Sequence, residues 1–328
     1  MADLSTTYMG LTLKNPIIVG SSDLTMSVDG VRECERAGAG AVVLKSLFEE
    51  QIEAEIRQAR NEAFSPNDHT EADDYIRQTA LRLSEDKYLR LIREAKGSVS
   101  IPVIASLNCI QPDWWTSYAA RMEDAGADGI ELNIAIMPSY LMQTAGEVEK
   151  TYVRIVQSVR DKVSLPLSVK IGPYFSSLPH TARALRNAGA DVLVLFNRFS
   201  HFDIDIEKMK LVHRYHYSSP GDIHLPLRWI AVLAAQSGCH LASSTGVHDG
   251  AGMIKQLLAG AQAVHLCSVL LQKGLGRIRE MLEEIEIWMG RHGFETIDDF
   301  RGQMSMELDG KPDFYLRQQY IKVLAGAE

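Results

Sequence analysis

Two lysines and an asparagine stand where apolar, strand-like segments end, and their chemistry is the most informative in the sequence. Lys45 closes AVVLK, Lys170 closes LSVK and Asn133 closes GIELN. A lysine in such a position either reaches solvent, as long cationic side chains commonly do, or meets an anion. Two lysines directed at one place beside an asparagine amide favour a bound anionic ligand. Whether Glu131, two residues before Asn133, points the same way or pairs locally stays open.

A second polar set follows two later apolar segments. SSTG ends at Gly246, and Cys267 and Ser268 follow AVHL. Glycine lets the backbone approach an anion closely, and the hydroxyls of Thr245 and Ser268 can donate hydrogen bonds. Taken alone, the pattern is more typical of a polar loop with a helix N-cap near Asp249. Beside the two lysines, a phosphate-bearing cofactor is the better interpretation.

The elements that must position these residues repeat along the chain. Four segments join a helical pattern through Ala-Gly-Ala to an apolar strand, and they read ERAGAGAVVLKS, EDAGADGIELNIA, RNAGADVLVLFN and LLAGAQAVHLCS. Four further strands fill the gaps: PIIVGS, PVIASL, PLSVKIG and HLASST. Eight strands alternating with helices predict the α/β class and a (β/α)8 TIM barrel. A doubly wound open sheet is the alternative, less favoured because the chain has no G-x-G-x-x-G turn.

Two connections are longer than a barrel requires. They cover about residues 47–95 and 198–224. Both begin where a strand ends, at the face on which barrel enzymes hold their sites. We interpret them as insertions at the C-terminal face that wall or cover a site, within a single domain that covers residues 1–328.

Composition narrows the class of protein. The chain has 328 residues and a net charge of −8, which argues against nucleic acid or an anionic membrane as a partner. It shows neither a signal peptide nor an apolar run long enough for a membrane span, so a cytoplasmic protein is expected. The four cysteines are scattered without a C-x-x-C pair. The HRYHY segment offers histidines without a carboxylate or cysteine to complete a ligand set, so no metal is expected.

As a set, these motifs resemble the class 1 dihydroorotate dehydrogenases, FMN-dependent (β/α)8 barrels of pyrimidine biosynthesis. The resemblance runs from LKNPIIVGSS through GAVVLKS, GADGIELN and LSVKIGPYF to STGVHDG and LLAGAQAVHLCS, which is most of the chain. It implies FMN as cofactor, with Lys170 stabilising negative charge on the reduced flavin. Together with the strand ends, it predicts as cofactor-binding residues Gly20, Ser21, Ser22, Lys45, Ser46, Asn133, Lys170, Thr245, Gly246, Cys267 and Ser268.

The substrate side departs from the family pattern. In the family, ELN continues as L-S-C-P-N, where the cysteine is the catalytic base; here Ile136 occupies the cysteine position and Pro138 the asparagine position. Neither side chain accepts a proton, so the catalytic residue is unknown. Replacement bases could come from Tyr140, Cys109 or His201. The predicted substrate-binding residues are Asn108, Asn197 and Arg198.

These observations predict an FMN-dependent oxidoreductase acting on CH–CH bonds. We expect hydride transfer between FMN and a small, anionic substrate at an altered substrate site. One alternative is a genuine dihydroorotate dehydrogenase, producing orotate with a relocated base. Another is a flavin-binding partner protein without turnover. A homodimer and a separate electron-transfer subunit stay open as partners, and the sequence gives neither the substrate nor the electron acceptor.

Overall fold

A computed structural model describes residues 2–50, 86–109, 112–137, 141–198, 201–214 and 216–306, with residues 321 and 324. Nine of its strands form one parallel sheet. Pairing of β4 with β6 closes eight of these strands into a barrel, and the ninth, β5, pairs with β6 alone. The strands are β1 Thr6–Tyr8, β2 Leu11–Leu13, β3 Ile17–Val19, β4 Ala41–Val43, β5 Leu47–Phe48, β6 Val103–Asn108, β7 Gly129–Asn133, β8 Leu167–Ile171, β9 Val192–Leu195, β10 His201–Asp205, β11 Lys210–Arg214, β12 His240–Ser244 and β13 Ala263–Leu266.

Helices follow the barrel strands and confirm the predicted (β/α)8 fold. They are α1 Val28–Arg36, α2 Pro112–Asp124, α3 Ala145–Arg160, α4 Leu178–Asn187, α5 His224–Leu233, α6 Gly250–Ala259, α7 Ser268–Lys273 and α8 Arg277–His292. Residues 86–96 are helical as well and lie between β4 and β6. In the part of the chain that is described, no helix has both the length and the apolar character needed to cross a bilayer.

The repeated Ala-Gly-Ala segments end helices in one way. In each, the glycine takes a left-handed backbone conformation, which only glycine adopts without strain. Their φ angles are 105° at Gly38, 89° at Gly126, 108° at Gly189 and 115° at Gly260. The turn then leads directly into β4, β7, β9 or β13, so the sequence repeat corresponds to a structural repeat.

Successive side chains of each barrel strand point to opposite faces, so the apolar residues form one core outside the barrel and another inside it. One set points outward and packs against the helices, for example Leu132 and Val169. The other set fills the barrel, including Ile18, Ile104 and Val194. Because side chains alternate along a strand, the polar residues of β7 and β8 that share a face with the interior set must enter the barrel.

The hairpin of β1 and β2 closes the amino end of the barrel, which the sequence reading did not identify. Its Tyr8 and Met9 are buried in the same cluster as the barrel interior. Met9 lies so close to the first residue of β7, Gly129, that a Cβ there would come within 2.7 Å of its Cε. The hairpin is therefore the floor of the barrel.

Side-chain acceptors from neighbouring strands secure the strand starts. Asp128 accepts a hydrogen bond from the Val103 N–H (2.7 Å), and Asp191 accepts one from the Leu167 N–H (2.8 Å). Gln262 does the same for the Leu241 N–H (2.8 Å). All three follow Gly-Ala in the repeated segment. The repeat therefore ends one helix and also satisfies a backbone donor of the adjacent strand.

The structure describes each of the two predicted insertions in part. The first, 47–95, includes much of the helix at 86–96, whose Leu89, Ile92 and Ala95 are buried in the outer core. That helix is a barrel element, and residues 51–85 lie outside the described residues. The second, 198–224, contains the antiparallel hairpin of β10 and β11 followed by a 3-10 turn, Pro220–Ile223.

Replacing Asp128 by alanine should lower the free energy of unfolding by about 1–3 kcal/mol, because it leaves the buried Val103 N–H without an acceptor. It also removes the partner of Lys96, whose Nζ lies 2.7 Å from the carboxylate. Asp124→Ala, at the end of α2, is the matched control and should change stability by less than about 0.5 kcal/mol. Chemical denaturation of both variants measures the difference; equal values would contradict the role given to Asp128.

Candidate functional site

A cavity of about 270 Å³ opens where the barrel strands end. That volume is slightly below the range of about 300–1,000 Å³ that is typical of small-molecule sites. All the predicted cofactor residues line it, and so do Asn197 and Arg198. The wall also contains five residues outside the predicted binding set: Phe48, Ser218, Ser244, Val247 and His265. Asn108 is not part of this wall; it pairs with Phe48 at the end of β6.

Lys170 and Asn133 lie side by side on the barrel wall. They are paired in the register of β7 and β8, so both side chains enter from one level near the mouth. Asn197 Nδ2 donates to Asn133 Oδ1 (2.8 Å), which fixes the orientation of that amide. No ion pair of Lys170 is found among the described residues, which leaves its ammonium group available to an anion in the cavity.

Lys45 differs from Lys170 in having a carboxylate beside it. Its Nζ lies 2.6 Å from Asp23 Oδ1, and both side chains reach solvent. The nearby carboxylate compensates part of the lysine charge at the rim of the cavity. The two lysines that looked alike in the sequence therefore have different electrostatic surroundings.

A row of hydroxyl groups lies between the strand ends. Ser21 Oγ and Ser46 Oγ are 3.1 Å apart, and Ser46 Oγ lies 2.7 Å from the buried Ser106 Oγ. The Ser46 N–H also donates to Ser21 Oγ (2.8 Å). These contacts hold the loops after β3 and β4 in fixed positions against β6.

The polar loop after β12 forms a close cradle. Thr245 and Gly246 both take left-handed backbone conformations, with φ of 83° and 84°. A Cβ on Gly246 would lie 2.2 Å from the backbone nitrogen of Ile223, so only glycine fits there. Across the cavity wall, the Ser218 N–H donates to Ser268 Oγ (3.0 Å), and Ser218 Oγ lies 3.1 Å from His248 Nε2.

The amino end of α6 is already occupied by side chains. Asp249 accepts from the Gly252 N–H (2.7 Å), and Glu284 accepts from the Gly250 N–H (2.5 Å). The N-cap interpretation of this segment is thus confirmed. An anion at this side of the cavity would have to be held by the loop at 245–247 and by nearby hydroxyls.

In the loop after β7, Ile136 occupies the position at which dihydroorotate dehydrogenases of class 1 carry the catalytic cysteine. Ile136 packs partly buried against the outer core, and its N–H donates to the Tyr152 hydroxyl (3.2 Å). Pro138 and Tyr140 lie outside the described residues, as does the side chain of His201. Cys109 is buried away from the cavity, and burial raises the pKa of its thiol. Such a thiol stays protonated and is a poor base.

Below Lys170, the barrel contains a buried carboxyl group and an imidazole. Glu131 and His265 face each other, with His265 Nδ1 3.7 Å from Glu131 Oε2. Burial raises the pKa of Glu131, with an opposing effect from the Lys170 charge, while burial and Lys170 both lower the pKa of His265. The sequence pattern did not predict this contact, because the two residues come from strands on different sides of the barrel.

Comparison with known proteins finds similarity over nearly the whole chain. The catalytic subunit of dihydroorotate dehydrogenase B (NAD(+)) from Thermoplasma volcanium is 27% identical, over 92% of this chain and 98% of that protein. The Pyrococcus furiosus protein of the same name is 27% identical over 89% and 96%. The chloroplastic dihydropyrimidine dehydrogenase (NADP(+)) of Arabidopsis thaliana is 23% identical over 97% and 80%. No protein-family model matches the chain. The predicted resemblance to dihydroorotate dehydrogenases is confirmed at this level.

The cradle at Gly246 can be tested with FMN as the probe. Gly246→Ala should weaken FMN binding by about tenfold or more, because the added Cβ forces the loop away from Ile223. Gly276→Ala is the control, since nothing lies within 4 Å of a Cβ there. Quenching of flavin fluorescence during titration measures both affinities. Equal affinities would show that the loop takes no part in binding.

Proposed function

We propose that this chain is an FMN-dependent oxidoreductase that transfers a hydride between a small anionic substrate and the flavin. The observation that carries the proposal is the ammonium group of Lys170, beside the Asn133–Asn197 amide pair, in a cavity at the mouth of a (β/α)8 barrel. The names of the relatives support a dehydrogenase acting on a CH–CH bond. We propose further that the chain acts as a single barrel domain.

The cavity residues fit FMN. The Gly246 cradle and the hydroxyls of Ser218 and Ser268 suit a phosphate, and the Lys170 ammonium suits a group that gains negative charge. The ring edge of His265 Nδ1 is buried without a hydrogen-bond partner among the described residues. When bound, FMN supplies the hydride-accepting ring, whereas the protein supplies position and charge. Gly20, Ser21, Ser22, Lys45, Ser46, Thr245 and Cys267 complete the proposed cofactor wall.

Different residues of the chain would stabilise charge on the flavin and bind the substrate. Lys170 places a fixed positive charge where negative charge develops, which needs no rearrangement during the reaction. Arg198 would bind the anionic substrate, because its guanidinium keeps its charge; its Nη1 also donates to the His216 carbonyl, which anchors the side chain. Asn197 and Asn108 are proposed as the remaining substrate contacts, with Asn108 the more distant from the cavity.

The Ile136 position favours a substrate other than dihydroorotate. Proton abstraction by a positioned base typically contributes about 10²- to 10⁴-fold to a rate. An isoleucine held by Tyr152 cannot supply it. The alternative is oxidation of dihydroorotate with a base from another position, and two relatives are named as dihydroorotate dehydrogenases. A flavin-binding partner without turnover is the remaining alternative, and any substrate that reduces the flavin would exclude it.

We also propose a separate electron-transfer chain and a cytoplasmic location. Two of the relatives cited are named as catalytic subunits. The four cysteines of this chain are all free, and no group of three or more potential metal ligands is found among the described residues, so we propose that any iron–sulfur group belongs to that other chain.

Lys170→Ala should weaken binding of reduced FMN by about tenfold or more relative to oxidised FMN, because a nearby positive charge is lost. The flavin potential should fall accordingly. Lys162→Ala, just after α3 and away from the cavity, is the control. Redox titration against dyes of known potential measures the change. A potential unaffected by Lys170→Ala would exclude the assigned role.

Dihydroorotate should not bleach the bound flavin rapidly under anaerobic conditions. If the missing thiol is the reason, Ile136→Cys should accelerate bleaching by about 10²-fold, whereas Ile136→Ala, which shortens the side chain without adding a base, should not. Stopped-flow absorbance follows the reaction. Rapid bleaching of the unmodified protein would establish the dihydroorotate alternative, and a preparation that takes up no FMN would overturn the cofactor itself.

A further inference from the structure

The interior of the barrel contains a polar pair that the proposed chemistry does not use. Glu131 and His265 are both buried among the apolar side chains that fill the barrel. Neither carboxyl oxygen of Glu131 has a hydrogen-bond partner among the described residues, and neither has His265 Nδ1. Leaving such groups unsatisfied costs stability, so an interior of apolar residues would be the more stable choice.

Strand register places this pair directly beneath the cavity. Glu131 is level with Ser168, and the next interior position toward the mouth holds Asn133 and Lys170. His265 itself lines the cavity. A Cβ on Gly20 would lie 4.0 Å from His265 Nδ1, so this ring edge lies next to the loop that begins at Gly20. The pair is buried from solvent and adjacent to the cavity at the same time.

We propose that Glu131, which faces His265 beneath the cavity, takes up a proton when negative charge is added beside Lys170. This inference rests on the proposed function, since a flavin gains that charge on reduction. When Glu131 is ionised, its charge opposes that of Lys170; when Glu131 is protonated, Lys170 presents its full charge to the cavity. An anion there therefore favours protonated Glu131, and by linkage protonated Glu131 favours the anion.

The groups around the pair are few in the described residues. Lys170 acts on both members, and the hydroxyl of Tyr8 lies 3.2 Å from His265 Nε2. Tyr88, from the helix at 86–96, also interacts electrostatically with Glu131. Burial raises the pKa of Glu131 above its usual acidic range and lowers the pKa of His265, so the imidazole stays neutral and Glu131 is the member of the pair that takes up the proton. The two tyrosines stay neutral, since burial raises their pKa values.

The decisive measurement is the number of protons taken up when bound FMN is reduced by two electrons. The dependence of the flavin potential on pH, between about pH 5 and pH 9, gives this number. We expect about one proton more in the unmodified protein than in Glu131→Gln over part of that range. His265→Gln should move the pH at which the proton is taken up, because it replaces the ring that faces the Glu131 carboxyl group. His240→Gln, at the start of β12 and away from the cavity, is the matched control and should keep the proton.

A purely structural role would give a different result. Glu131→Gln would then change the melting temperature and leave the proton count equal to that of the unmodified protein, which would overturn the proposal. If Glu131→Gln does not fold, Tyr8→Phe replaces it as the test. Losing the hydroxyl beside His265 Nε2 should move the pH at which the proton is taken up without removing the proton, and an unmoved profile would count against the pair.

A second measurement separates this inference from the proposed function. If the protein binds no FMN, the proposed function fails, and nitrogen NMR of labelled histidine in the cofactor-free protein decides the pairing. A His265 Nδ1 signal that titrates with pH and changes in Glu131→Gln supports the pair. A signal unaffected by Glu131→Gln overturns it.

Discussion

Closure of a parallel sheet into a barrel is the constraint on which the rest of this structure depends. Closure brings all eight carboxyl ends to one mouth and sends every second side chain of each strand inward. In β7 the inward positions are Gly129, Glu131 and Asn133, and in β8 they are Ser168 and Lys170. The same alternation that builds an apolar core from Ile104 and Val194 therefore puts two charged residues inside it. The site follows directly from the geometry of closure.

Much of this arrangement could be predicted from the sequence, because it depends on local patterns. The Ala-Gly-Ala repeats and apolar runs identify barrel strands and their direction, and direction alone brings Lys45, Lys170, Thr245 and Ser268 to one cavity. The helix N-cap at Asp249 could also be predicted, because it depends only on neighbouring residues. What the sequence did not show were pairings between distant segments. Asp23 beside Lys45, the floor hairpin under Gly129 and the contact of Glu131 with His265 all need the closed barrel to become visible.

The proposed cofactor side and the proposed substrate side of the cavity differ in how far their residues match the family pattern. The residues proposed to hold FMN keep the polar or small character that the family resemblance requires, whereas Ile136 is an alkyl side chain in the place of a base. A barrel permits this separation, because the loops after its strands can change while the strands keep their packing.

The contact between Tyr8 and His265 has a consequence for how the protein is made. The two residues are separated by 257 positions, so this contact joins the first strand of the chain to the last strand of the barrel. During synthesis, the floor must wait until nearly the whole barrel has left the ribosome, and contacts of such long range form late in folding. The polar interior is completed in the same step, because His265 arrives with that last strand. A flavin can therefore meet its finished binding surface only after translation of the barrel has ended.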